Sequence, residues 1–190
     1  MYDSSNVLSL IYSLKTPVHP EQLKRLTHID GEDYSHICEK VQEHLEIVRV
    51  SLSANFLERG VFALKQYYAV ALLDPANAHA LSRALDPFWH FHVLRTEQYT
   101  EFCSRVVGEY MHHRPLERGN VEHIRVMRRL YDYTFEVISK LFSEVDKEFW
   151  PEELSDSDLI CWHKGNQTIY MDLQKYRLFD PTPRGVGYMP

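Results

Sequence analysis

The sequence predicts an all-α fold, a multi-helix bundle with a small C-terminal β-hairpin or extended appendage. Apolar residues recur at three- and four-residue spacing through most of the first 150 positions, the mark of helices with one buried face. Beyond Pro151 the pattern changes, and two short β-prone runs flank Lys164-Gly-Asn-Gln167. The predicted organisation is therefore a helical domain over 1–150 and a hairpin with an extended tail over 151–190.

Each element has a local cause. A first short helix from about Ser5 to Lys15 would bury Val7, Leu8, Ile11 and Leu14 before Pro17 and Pro20 end it. A second follows Pro20 with Leu23 and Leu26 on one face, and Gly31 punctuates it. From Glu32 to about Leu52, Tyr34, Ile37 or Cys38, Val41, Leu45 and Val48 form one stripe with charges opposite. Asn55 to Leu73 is rich in aromatic and small residues on several sides, so that helix is expected to be buried on more than one face. Asp74-Pro75 and Asp86-Pro87 each match a helix start, with a carboxylate able to accept exposed amides and proline in the first turn. They predict short helices over 76–85 and from Asp86 onward. Thr96 caps a helix running from Glu97 to about His112, and the longest helix runs from Asn120 to about Phe149. The hairpin arms are Leu159–His163 and Thr168–Asp172, and the Pro- and Gly-rich end from Phe179 reads as extended.

Bulk properties narrow the function. The 190 residues are 44% apolar and 13% aromatic, enough for a full core in one domain. A net charge of −6 without a basic block argues against nucleic acid as a partner. The apolar runs are too short to span a bilayer and the start lacks a signal-peptide pattern, so the expectation is no membrane and a cytoplasmic location. Three separated cysteines fit a reducing compartment better than a disulfide framework. No Gly-rich phosphate loop, Gly-x-Ser-x-Gly elbow or His-Glu-x-x-His occurs. The partner expected is a small molecule or a protein, and neither it nor the oligomeric state is encoded in a motif.

The segment from Asp86 to Pro115 holds the chemistry-bearing residues: His90, His92, His112 and His113, one thiol, several carboxylates and six aromatic rings. Imidazole ligates transition metals and exchanges protons near neutral pH. In a helix starting at Asp86, the Asp86 carboxylate and the His90 ring lie one turn apart and can share a metal. His92, two positions on, points roughly 200° away. Tyr99 and Cys103 share a face of the next helix, whose end could bring His112 or His113 toward His90. The predicted metal set is thus Asp86, His90, His92, His112 and His113 around iron or zinc, with Tyr99 and Cys103 as the candidate catalytic groups and an open coordination position.

A structural reading stands beside this one. Asp86 could serve only as an N-cap, His90 and His92 as buried rings donating to carbonyls, Cys103 as a small core hydrophobe, and one of His112 and His113 as a cation at a helix C-terminus. Glu109-Tyr-Met-His112 has the Glu-x-x-His spacing of di-iron helix bundles, with a looser echo in Asp33-Tyr-Ser-His36. His163, beside Cys161 and Trp162, could close over a site as a lid. Three functions follow: a metal-binding helical protein, with metal-dependent oxidoreductase chemistry as its sharper form; a non-enzymatic interaction or regulatory module with a structural histidine and aromatic core; and a pH-responsive helical regulator.

The run Asp86-x-x-Trp89-His90-x-His92-x-Leu94-x-Thr96-x-x-Tyr99-x-x-x-Cys103, followed by Gly108 and His112-His113-x-Pro115, resembles the signature segment of the glycine-rich domain-containing protein-like family. The resemblance implies a helical domain in which Asp86, Trp89, His90, His92, Tyr99, Cys103, His112 and His113 form the distinctive site. It implies no particular reaction, and the chain lacks the glycine-rich region of that family.

Overall fold

The computed structural model describes residues 2–49, 51–117 and 119–163. Among them six α-helices form: Pro20–Asp30 (α1), Ser35–Ile47 (α2), Phe56–Leu73 (α3), Asp86–Val93 (α4), Thr96–Val106 (α5) and Val121–Leu141 (α6). Three short strands, His79–Ser82 (β1), Arg114–Pro115 (β2) and Leu159–His163 (β3), make an antiparallel sheet in the order β1-β3-β2. The protein is mostly helical, as expected, but the strands are not an appended hairpin. β3 pairs with strands drawn from the middle of the chain, and the other expected hairpin arm, with the tail, lies outside the described residues.

α3 is the buried centre. All of its residues but Phe56 and Arg59 are buried, including Lys65, whose ammonium sits 3.1 Å from the Asp30 carboxylate at the end of α1. Gly60 lets α4 approach closely, since a Cβ there would lie 2.1 Å from the Phe88 ring. The helix expected from about Ser5 to Lys15 does not form, and this part of the chain instead makes two 3-10 turns, Ser4–Asn6 and Ile11–Ser13. The Asp30 carboxylate accepts from the Ser9 hydroxyl and the Leu10 and Ile11 amides, so tertiary hydrogen bonds replace a helix's local ones.

Two further differences shape the site. Residues 79–82, expected to be helical, are a strand with all four residues buried. Thr134 of α6 fixes this strand, accepting from the Ala80 amide at 3.1 Å while donating to the Leu130 carbonyl at 2.7 Å. α5 ends at Val106 and not near His112, because Gly108 adopts a left-handed φ of 84° and both Val107 and Gly108 amides turn back to the Cys103 carbonyl. The chain then runs irregularly to β2, so Glu109 and His112 do not share a helical face. That removes the geometry a di-iron Glu-x-x-His pair needs. β3 belongs to the same core as the helices, with Leu159, Cys161 and Trp162 in the main apolar cluster.

Candidate metal centre

Asp86 is the first residue of α4, one position past the Leu85 N-cap, so it does not stand in the capping position its Asp-Pro sequence suggested. Its Oδ1 instead accepts from His113 Nε2 at 2.9 Å and from the Cys161 thiol at 3.0 Å. One donor atom from each of the three residues lies within 4.8 Å of the other two. Three separate pieces of chain converge here. α4 supplies Asp86, the segment after the Gly108 turn supplies His113, and the central strand β3 supplies Cys161 from its buried face. Asp86 and His113 are half-buried and Cys161 is buried, so the cluster lies just under the surface with one side toward solvent.

The electrostatics follow from this placement. Burial opposes ionisation of Asp86, yet hydrogen bonds from His113 and Cys161 and the charges of His113 and His90 outweigh it and hold the carboxyl below its ordinary range. Cys161 responds in the opposite sense. Burial first, and then the adjacent carboxylate, push its thiol well above the ordinary value, so it rests protonated. A thiol in that state, facing a carboxylate, is a poor nucleophile. A metal ion reverses the preference, because its charge favours both carboxylate and thiolate.

The predicted site residues separate into those the fold brings together and those it does not. Asp86 and His113 meet. His90 is exposed beside them, its ring centroid 5.5 Å from that of His113 at an interplanar angle of 74°. His92 points the other way, into a buried nest of Tyr34, Tyr68, Tyr99 and Phe102, where Nδ1 pairs with the Tyr68 hydroxyl at 2.7 Å. Burial, with a smaller effect from Arg95, drives its imidazole down to about 3. His112 is exposed, its ring tilted against Tyr110 with centroids 4.8 Å apart at 56°. Neither joins the donor cluster.

Tyr99 and Cys103 are internal. The Tyr99 hydroxyl accepts from Trp89 Nε1–H at 2.9 Å and donates to the Met111 carbonyl at 2.9 Å. Burial pushes the Cys103 thiol up to about 11. Both therefore lack access to a substrate, and the catalytic role expected for them has no support in their surroundings. His163 is buried as well, with Nδ1 2.8 Å from the Tyr67 hydroxyl, and is not a surface lid.

Cys161 is the donor that spacing did not reveal. It sits 48 positions beyond His113 in a run recognisable only as a strand, and strand pairing alone decides that its side chain meets Asp86. An open cleft of about 650 Å³ along α6, lined in part by Val121, Ile124, Arg125 and Arg128, shares no residue with this cluster. Its guanidinium groups are paired with Glu122 and Asp156.

A family comparison matches residues 24–136, more than half of the chain, to the UCP032817-like family. The chain belongs to the UCP032817-like family. That match overturns the resemblance to glycine-rich domain-containing proteins, which rested on the single segment from Asp86 to Pro115. The UCP032817-like region contains Asp86 and His113, while Cys161 lies beyond its matched end. Comparison with curated proteins and with solved structures gives no match. No helix among the described residues is long and apolar enough to cross a membrane.

Proposed function

We propose that this protein binds one transition-metal ion, iron or zinc, through Asp86, His113 and Cys161. The observation that carries the reading is the Asp86 carboxylate, whose one oxygen faces both an imidazole and a thiol. An oxygen, nitrogen and sulfur set suits zinc or iron, and three protein donors leave a position open for a further ligand. Donor atoms around a tetrahedral ion sit roughly 3.3–3.8 Å apart, from bond lengths of about 2.0–2.3 Å. The present contacts of 2.9 and 3.0 Å need to open by only about half an ångström. Binding would release the Cys161 proton. His90, exposed next to His113, would serve as an added ligand or a proton carrier. Iron would support oxidoreductase chemistry, and zinc would supply a Lewis acid.

Elemental analysis of protein purified without a histidine tag tests this. The expected result is about one iron or zinc per chain, lost in a His113→Ala, Cys161→Ser double variant that keeps its helical circular dichroism. A metal-free wild type after growth and reconstitution with both metals, or unchanged metal content in the double variant, would overturn it.

A second reading, a non-enzymatic interaction or regulatory module, draws support from the buried histidines. His79, His92 and His163 are each satisfied by protein partners inside an aromatic core. The same measurement separates the two, since this reading expects no metal in either protein.

A further inference from the structure

Resting on the metal reading above, we propose that Tyr99 is a positioning residue for the centre, joining the helix that carries Asp86 to the segment that carries His113. Its hydroxyl is the shared atom of two hydrogen bonds. Trp89 Nε1–H, one turn along α4 from Asp86, donates to it at 2.9 Å, and it donates to the carbonyl of Met111, two residues before His113, at 2.9 Å. The indole of Trp89 also lies against the His113 ring, with centroids 4.8 Å apart at 41°.

Asp86 and His113 are 27 positions apart, and the residues after Gly108 leading to β2 have no helical hydrogen bonds to hold them. Tyr99 and Trp89 supply the missing restraint. The ring of Tyr99 is itself fixed, with His92 at 5.0 Å and Tyr110 at 5.1 Å, each edge to face. The hydroxyl is fully buried, so losing it leaves an indole N–H and a carbonyl without water to replace it. A released Met111 would let His113 drift from Asp86. Partners that orient a metal ligand from behind commonly change affinity roughly 10- to 100-fold when removed.

Cobalt(II) serves as the probe, because its visible ligand-field bands report donor geometry and its thiolate charge-transfer band reports Cys161. Tyr99→Phe removes one oxygen and keeps the ring. The control is Tyr131→Phe, which removes a comparable bond, from a buried phenol of α6 to the Pro151 carbonyl at 2.9 Å, one that joins neither α4 nor the segment before His113. The expected result is cobalt binding weakened roughly 10- to 100-fold in Tyr99→Phe, with shifted ligand-field bands at saturation, while Tyr131→Phe keeps the wild-type affinity and spectrum at a similar melting temperature. Trp89→Phe, which keeps an aromatic ring beside His113 and removes the N–H, should shift the bands in the same sense and covers the case in which Tyr99→Phe does not fold. Wild-type affinity and spectrum in both variants, or an equal change in Tyr131→Phe, would overturn the positioning role while leaving the metal reading intact. Absence of any cobalt spectrum from folded wild type would overturn the metal reading and this inference with it.

Discussion

At the scale of single residues, the segment from Asp86 to His113 divides its histidines between opposite tasks. His113 meets a carboxylate near the surface, whereas His92 is sealed among four aromatic rings and held neutral. Burial lowers His92 from the ordinary 6.5 to about 3, and the consequence for stability has a definite sign. Between these two values the unfolded chain takes up a proton that the folded chain refuses, so stability is undiminished above about pH 6.5 and falls as the pH drops toward 3. One such group contributes a slope approaching about 1.4 kcal/mol per pH unit. Urea denaturation between pH 6 and 4.5 should therefore show stability falling with acidity, and His92→Asn should have a slope shallower by close to one proton. Equal slopes would mean that His92 titrates normally in the folded protein. Part of this division was legible beforehand, because a two-residue offset on a helix turns His92 away from His90, although His92 was still counted in the expected metal set. Cys161 was not legible, since nothing local to Leu159–His163 records which residue its thiol will face.

At the scale of elements, glycine placement decides more than apolar periodicity does. Gly108 stops α5 six residues before the period of the sequence suggested and delivers His113 to α4. Gly60 is a second instance with a measurable sign. In an ordinary helix interior, Gly→Ala stabilises by about 1 kcal/mol. Here the added methyl would meet the Phe88 ring at 2.1 Å, and Phe88 lies two residues from Asp86 on the short helix α4. Overpacking of this kind costs about 1–3 kcal/mol and exceeds the propensity gain at its upper end. Gly60→Ala should lower the melting temperature by several degrees, and differential scanning calorimetry showing an unchanged or raised value would mean that α4 moves aside freely. The long helices α2 and α6 were recoverable from the sequence because each carries a sustained stripe, and α3 because its apolar run is too long for a strand and is buried on several faces. β1 was not, because Ala76 to Leu85 is too short for period to separate a buried strand from a helix, and its state is settled by pairing with β3 and by the Thr134 hydroxyl.

At the scale of the whole molecule, the three donors tie together three separate parts of the chain. Asp86, His113 and Cys161 stand on α4, on the segment before β2, and on the central strand of the sheet, so an ion bound to all three closes loops of 27 and 48 residues at once. Such an ion binds the folded chain and finds no preformed set in the unfolded one. Its binding energy therefore adds to stability, by about 2.7 kcal/mol at a free concentration one hundred times Kd. For a chain of this size each kcal/mol moves the melting temperature by about 2–4 °C, which predicts a rise of roughly 5–10 °C on saturation. The rise should vanish with a chelator and be absent in Cys161→Ser, which keeps a small polar group at the position but lacks the thiolate. Hydrogen exchange locates the effect, because β3 is hydrogen-bonded on both edges, to β1 and β2, and added zinc should slow its amides together with those flanking His113. A melting temperature that rises equally in wild type and Cys161→Ser would show that the metal binds elsewhere, and that β3 is held by the sheet alone.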